Sequence, residues 1–380
     1  MRAAVFYGPG NIANQEVYCD FRYAPKEKLT SDESSNGDIL LKVKACAVCG
    51  YDVRVFRNGH NKVAPPVILG HEICGLTNQD LVVMNASDSD EKRTREYRIR
   101  AGSRVAVSPI IPCLNCVYCH NRQYNLCLNL KEIGSSINGG FGEFVKIPKQ
   151  VQQIGGLVRI PDNLGDEEAA LLEPLACCLN GLYHIDPLIR KNEQGTVAII
   201  GDGPIGLLHL QLVKKMYHVS TVVVIGRISQ RLQQAKSMGA NATVAFANDA
   251  DFDHCLQNTL ALTDNVGFNV VIIATSNPIA LNFALKIASK DSCINIFAGM
   301  LKSTDNFFSL DPNFLHYNQI SITGSFSSTP STLAEAVKHA SSGEVNLSKL
   351  VSHTYRLQDI IQAIVSTEKY HGLRAVINRF

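Results

Sequence analysis

Four of the twelve cysteines in this 380-residue sequence crowd into Cys113-x2-Cys116-x2-Cys119-x7-Cys127. Four thiolates on one short loop can wrap a single Zn²⁺ tetrahedrally. The spacers are long enough to fold around the ion and too short to carry a ligand elsewhere. With sulfur at every position, none is left for water or substrate, so such a zinc is structural. An iron–sulfur cluster is the alternative, because Cys-x2-Cys-x2-Cys also occurs in ferredoxins; a closed four-thiolate set favours zinc.

A second signal is Gly201-Asp-Gly203-Pro204-Ile205-Gly206. The first glycine permits a tight turn, the second lets a pyrophosphate approach the backbone, and the third lets helix pack on strand. The N–H groups at the helix start then face the phosphates. A plain strand-to-helix turn is the competing reading, and only flanking elements of the right type make the motif specific. A third set is scattered: Cys49, Gly70-His71-Glu72 and Glu173. A thiolate, an imidazole and carboxylates suit a catalytic zinc that keeps one position for water or substrate. Spacing alone does not unite them.

The elements that must position these residues follow from the hydrophobic pattern. Ile39–Ala47 reads as a strand ending beside the first cysteine pair, Cys46 and Cys49. Arg104–Val107 and Gly142–Ile147 read as short strands, with Gly139-Gly140 as a turn before the second. Asn85–Arg98 is dense in both charge signs and is expected to be a surface excursion. From Asp166 the pattern changes. A helix is expected over Asp166–Tyr183, its acidic first turn favoured by the helix dipole. Strands at Thr196–Ile200, Thr221–Ile225, Asn269–Ala274 and Cys293–Ala298 then alternate with helices at Pro204–Tyr217, Ser229–Met238 and Pro278–Ser289. This alternation predicts a parallel sheet covered on both faces. A strand at Ile320–Gly324, a helix at Ser331–Ala340 and a terminal helix and strand complete the chain.

Composition sets the outer bounds. Apolar residues make up 46%, charged residues 18%, and the formal net charge is +2. That is an ordinary globular balance, long enough for two cores and without an electrostatic case for nucleic acid. No apolar run approaches the roughly 20 residues that span a bilayer, and Met1–Gly10 does not read as a signal peptide. The expectation is a soluble, cytoplasmic protein with a small-molecule substrate and no membrane partner. Cys19, Cys74, Cys177, Cys178, Cys255 and Cys293 are expected to be small buried apolar side chains. His60 and His120 are expected to be ordinary polar residues.

The sequence resembles the zinc-containing medium-chain alcohol and polyol dehydrogenases along essentially its whole length. The resemblance runs, in order, through Ala47-Val-Cys-Gly-Tyr-Asp52, Leu69-Gly-His-Glu72, the four-cysteine lobe, Gly139-Gly-Phe-Gly-Glu-Phe144, Glu173-Pro-Leu-Ala176, Gly201–Gly206 and Gly324-Ser-Phe-Ser327. It implies an α/β protein: a GroES-like β-barrel catalytic domain over residues 1–165, completed by 310–380, and a Rossmann dinucleotide-binding domain over 166–309. It implies that Cys49 and His71 ligate a catalytic zinc, with Glu72 binding or flanking it. Glu173 stands where polyol dehydrogenases carry glutamate and simple alcohol dehydrogenases carry cysteine, so the chain looks like the polyol branch. Two zinc ions per chain and a homo-oligomer are further implications.

Two positions depart from the family. Tyr51 replaces the serine or threonine of the proton relay, and its phenol either passes a proton or packs at the pocket wall. Arg54 replaces the histidine that often ends the relay, and arginine stays charged near neutral pH. Tyr51, Arg54, Phe141 and Phe326 are candidates for the pocket lining.

Cofactor choice is read at the end of the second Rossmann strand, where NAD enzymes place an acid on the ribose 2′-hydroxyl. Here that strand ends in Gly226-Arg227, with Arg231 one turn further on. Missing an acid and offering two arginines, the site is expected to prefer NADP; solvated arginines are the competing reading. Gly201, Gly203, Pro204, Ile205, Gly206, Gly226, Arg227, Arg231 and Ala274 are the candidate cofactor contacts. A zinc- and nucleotide-binding protein that keeps the fold without catalysis is the functional alternative.

Overall fold

The computed structural model describes residues 1–17, 37–84, 96–191, 194–246, 251–300 and 310–380. It divides into two compact units, Met1–Cys177 with Ser328–Phe380, and Cys178–Ser327.

The first unit is built on a mostly antiparallel sheet. Its strands run in the order Leu157–Arg159, Arg104–Val107, Glu72–Thr77, Ile39–Ala47, Arg374–Arg379 and Val351–Arg356, with Phe144–Ile147 also pairing Ile39–Ala47. Ile39–Ala47 is central because its residues are buried on both faces, which a near-continuous Ile-Leu-Leu-Val-Ala run supports. It pairs Ala47 with Glu72 on one side and with Val376 on the other. The chain's last strand is thereby brought beside the first metal-ligand candidates.

The second unit holds a six-stranded parallel sheet. Its order is Ala242–Ala245, Thr221–Gly226, Thr196–Ile200, Phe268–Ile273, Ala288–Ile296 and Ser321–Gly324. In sequence terms this is 3-2-1-4-5-6, the doubly wound Rossmann order, with the switch point at Thr196–Ile200. The strands read as Val/Ile runs because helices cover both faces. The sixth strand, Ser321–Gly324, pairs Cys293–Ile296 in parallel and lies beyond residue 310, where the sequence reading returned the chain to the first domain. The division at Cys177/Cys178 likewise falls past residue 165, inside the helix Leu172–Tyr183.

Two local expectations change. The helix over Asp166–Tyr183 is two helices, Asp166–Ala170 and Leu172–Tyr183. Pro174 accounts for the break, since its ring would clash with the carbonyl of residue 170 in one continuous helix. The charged stretch ends in a strand, Glu96–Ile99, paired with Leu81–Met84; its residues 85–95 lie outside the described residues, as does Cys19. Among the described residues no helix is long and apolar enough to cross a membrane.

One buried group gives the Rossmann unit a pH-dependent weakness. His209, on the helix Pro204–Met216, is fully buried with its ring edge-on to Phe297 at 4.8 Å. Neither ring nitrogen has a partner among the described residues, and burial pushes its pKa down to about 3. Because the folded value lies below the unfolded one, the unfolded chain takes the proton first as pH falls. The contribution is fully present above about pH 6.5 and is lost between there and about pH 3. At pH 5 this group alone costs about 2 kcal/mol. Urea unfolding of wild type and His209→Leu at pH 7 and pH 5 should therefore show a smaller pH-dependent loss in the variant. Equal losses would contradict the assignment.

Candidate active site and metal lobe

The lobe Cys113–Cys127 brings its four sulfurs within 4.8 Å of one another. Cys116 and Cys119 Sγ are 3.5 Å apart, Cys113 and Cys119 Sγ 3.9 Å. A tetrahedron with Zn–S bonds of about 2.3 Å has edges of about 3.8 Å, so these separations suit one ion; a cluster of several irons would hold the sulfurs farther apart. Backbone N–H groups point at the thiols. The Cys113 N–H donates to Cys127 Sγ at 3.1 Å, and the Leu128 N–H helps hold Cys116 down to about 6. Donors around sulfur favour the thiolate, the form that ligates metal.

The second cluster is assembled from three elements of the first unit. Cys49 caps the helix Gly50–Asn58, His71 follows the positive-φ residue Gly70, and Glu72 opens the strand Glu72–Thr77. Their ligand atoms all lie within 4.8 Å of one another. Gly70 is required here: at φ 92° a Cβ would sit 2.8 Å from Cys46 Sγ and 2.9 Å from the Phe141 ring. Gly139 and Gly140 close over it, the Gly140 N–H donating to the Gly70 carbonyl at 2.8 Å.

Glu173 stands outside that three-residue cluster but within its field. Burial pushes its carboxyl up to about 7, with His71 pulling it down and Glu72 adding to the rise. Burial also works against a charged His71, but Asp52, Cys49 and Glu173 outweigh it and hold the imidazole well above its usual range. The Glu72 carboxylate is fully buried, with one oxygen accepting from Arg374 Nη2 at 2.7 Å and the other unpartnered among the described residues. Cys49, His71 and Glu173 thus stand around a buried Glu72 carboxylate that Arg374 holds. An orphaned, buried carboxylate oxygen is what a divalent cation relieves.

Three participants escaped the sequence reading. Asp52 is wholly buried and accepts from the N–H groups of Cys49 at 2.8 Å and Gly70 at 3.3 Å, tying the two ligand loops together. It also faces His71 Nδ1 at 3.7 Å. Arg374 comes from the last strand, and no local motif announces it. Cys177, expected as an apolar filler, is only half-buried and donates to Glu173 Oε1 at 3.2 Å. Asp52 alone carried a signal, as an acid three residues after a helix cap.

Tyr51 lies against the site, its ring edge-on to His71 at 5.7 Å and to His60 at 5.3 Å. His60 itself is exposed. Burial raises the Tyr51 phenol above its usual range, so near neutral pH it is a hydrogen-bond donor and not a base. Its hydroxyl is buried and unpartnered among the described residues. Phe141 is fully buried beneath Gly70 and is core, not lining; Phe326 belongs to the second unit and is exposed.

The dinucleotide motif has the geometry its glycines predict. Gly201 follows the strand Thr196–Ile200 with φ 128°, and a Cβ there would meet the Ala274 carbonyl oxygen at 2.7 Å. Gly203 caps the helix Pro204–Met216, and a Cβ on it would meet nothing within 4 Å, leaving the face a pyrophosphate needs. A Cβ at Gly206 would collide with the Gly201 carbonyl.

The end of the second strand differs from expectation. Of the two arginines, Arg227 is exposed but Arg231 is buried at 6% exposure. The space beside Gly226 is filled by Asp202, whose Oδ2 accepts from the N–H groups of Arg227 at 2.8 Å and Ile228 at 2.7 Å. An acid from the glycine-rich turn therefore stands beside the end of the second strand.

Similarity to known proteins agrees with this architecture. The family described as alcohol dehydrogenase GroES-like domain matches residues 35–162, and the one described as zinc-binding dehydrogenase matches 204–342. The starvation-sensing protein RspB of Escherichia coli K12 is 30% identical over 337 residues, covering 87% of this chain and 88% of its own. The D-arabitol-phosphate dehydrogenase of Enterococcus avium is 28% identical over 353 residues, covering 92% of each. A putative zinc-binding dehydrogenase from Sinorhizobium meliloti, solved bound to NADP, superposes with a TM-score of 0.78 at 26% identity, over 99% of this chain and 98% of its own. The chain belongs to the zinc-type medium-chain alcohol dehydrogenases, in their polyol branch, and is a zinc-dependent oxidoreductase that moves a hydride between a nicotinamide cofactor and an alcohol.

Proposed function

We propose that Cys49, His71 and Glu72, with Glu173 beside them, hold a catalytic zinc, that Cys113, Cys116, Cys119 and Cys127 hold a structural zinc, and that the substrate is a polyol or sugar-type secondary alcohol. The observation that carries the reading is the thiol–imidazole–carboxylate cluster, whose ligand atoms lie within 4.8 Å of one another and whose buried Glu72 carboxylate keeps one oxygen unpartnered among the described residues. Bound there, zinc would polarise the substrate hydroxyl and lower its pKa, and the nicotinamide would accept the hydride. The protein's own part is positional. Asp52 fixes the Cys49 and His71 loops, Arg374 holds Glu72, and the Tyr51 hydroxyl offers a donor at the pocket wall. Glu173 in place of a second thiolate supports a polyol-type site, as does similarity to an arabitol-phosphate enzyme. A homo-oligomer and a cytoplasmic location are part of the same proposal. The position of Asp202 beside the end of the second strand argues against a preference for NADP.

A screen of polyols, sugars, cyclitols and polyol phosphates with NAD and NADP, followed by reduced-nicotinamide absorbance, tests the reading. At least one polyol should be oxidised, with turnover lost on zinc chelation. No turnover across the screen, by protein that binds zinc and dinucleotide, would contradict it.

A further inference from the structure

We infer that Asp202, from the glycine-rich turn, is the residue that receives the adenosine ribose 2′-hydroxyl and disfavours a 2′-phosphate, so that the enzyme selects NAD; this rests on the dinucleotide-binding reading above. In a Rossmann unit the 2′ position is met at the tip of the second strand. Here that strand, Thr221–Gly226, ends in a residue without a side chain. An ideal Cβ at Gly226 would run into the Asp202 Cβ and come within 2.6 Å of both Cγ and Oδ2. The volume that a side chain on residue 226 would fill is already filled by a carboxylate reaching over from the first turn. Gly226 and Asp202 are therefore one arrangement: the glycine is needed because the aspartate is there.

Asp202 is also fixed in place. It is 8% exposed, and its Oδ2 accepts from the consecutive N–H groups of Arg227 and Ile228. Both of these bonds end on Oδ2, and its other oxygen, Oδ1, takes part in neither. A ribose hydroxyl is a donor that would satisfy it; a phosphate oxygen carries charge of the same sign and offers no proton. The opposing attraction comes from Arg227, whose exposed side chain is solvated and screened. A fixed, largely buried carboxylate is screened less, so the repulsion outweighs the attraction. Two backbone N–H groups offset part of the charge, but they are spent on Oδ2.

The geometry also changes how specificity can be engineered. Placing an acid at residue 226 would drive its side chain into Asp202, so Gly226→Asp would perturb the turn and would not simply convert cofactor choice.

The test is fluorescence titration of NADH and NADPH on wild type, Asp202→Asn and Arg227→Ala, a readout that needs no turnover. Wild type should bind NADH about tenfold or more tighter than NADPH. Asp202→Asn keeps an acceptor for the turn and removes the charge, so the NADH:NADPH affinity ratio should fall by about tenfold. A purely structural role would weaken both cofactors alike and leave that ratio unmoved. Arg227→Ala should raise the ratio further. Tighter NADPH binding by wild type, matching the cofactor of the Sinorhizobium meliloti neighbour, would overturn the inference even if Asp202→Asn does not fold. So would an unchanged ratio in a folded Asp202→Asn protein. Binding of neither dinucleotide would overturn the dinucleotide reading itself, and this inference with it.

Discussion

His71→Ala and Cys49→Ala should each abolish alcohol oxidation while dinucleotide affinity stays within about twofold of wild type. The expectation follows from where the two side chains sit. Both belong to the first unit, in a cluster whose ligand atoms lie within 4.8 Å of one another, whereas the glycine-rich turn belongs to the second. Removing one ligand from an open three- or four-ligand site weakens metal binding and removes the group that activates the hydroxyl. Losing that activation should cost on the order of a thousandfold or more in kcat, since a metal-bound hydroxyl replaces one that is hardly ionised at neutral pH. Steady-state oxidation of the best polyol, with NADH titration as the control, checks this. Turnover near wild type in either variant would mean that the metal is held by other residues.

The second large effect is expected in the cysteine lobe. Cys116→Ser, or removal of zinc by a strong chelator, should open the segment Cys113–Cys127 to proteolysis and lower the melting temperature by several degrees, the shift expected for the loss of about 2 kcal/mol or more. Little besides metal can hold this segment. Val117, Leu126 and Leu128 are exposed at 59%, 41% and 68%, while Cys119 and Cys127 are buried. Its regular structure is one four-residue helix and one three-residue 3₁₀ turn. A lobe whose buried side chains are mainly its own ligands has almost no apolar core to fold around. Intact stability after complete zinc removal would contradict this account.

The parts of this protein that the sequence discloses are those encoded locally. The cysteine lobe lies within one short stretch, and Gly201–Gly206 sits between a strand and a helix, so their chemistry can be read from spacing. The parallel sheet is legible because its strands alternate with helical patterns. What spacing cannot disclose is contact at long range. Arg374 meets Glu72 across 302 residues, through strand pairing with Ile39–Ala47. Asp202 reaches the N–H of Arg227 across 25 residues, and only the parallel register of Thr196–Ile200 with Thr221–Ile225 brings them together. That contact is invisible to a reading made one strand at a time: no acid follows Ile225 in sequence, yet one stands beside it from the neighbouring turn. The strand Ser321–Gly324 was visible as a strand, but its place in the sheet depends on pairing with Ala288–Ile296, which no local pattern encodes.

Metal content tests the central claim most directly. Zinc should be counted per chain by elemental analysis in the wild type, in Cys49→Ala and in Cys116→Ser. The two-site account predicts about two zinc ions in wild type and about one in each variant, with the Cys116→Ser protein keeping the ion near His71. One zinc in wild type, lost from Cys116→Ser and unaffected by Cys49→Ala, would contradict it and leave a metal-stapled, nucleotide-binding fold without a catalytic metal.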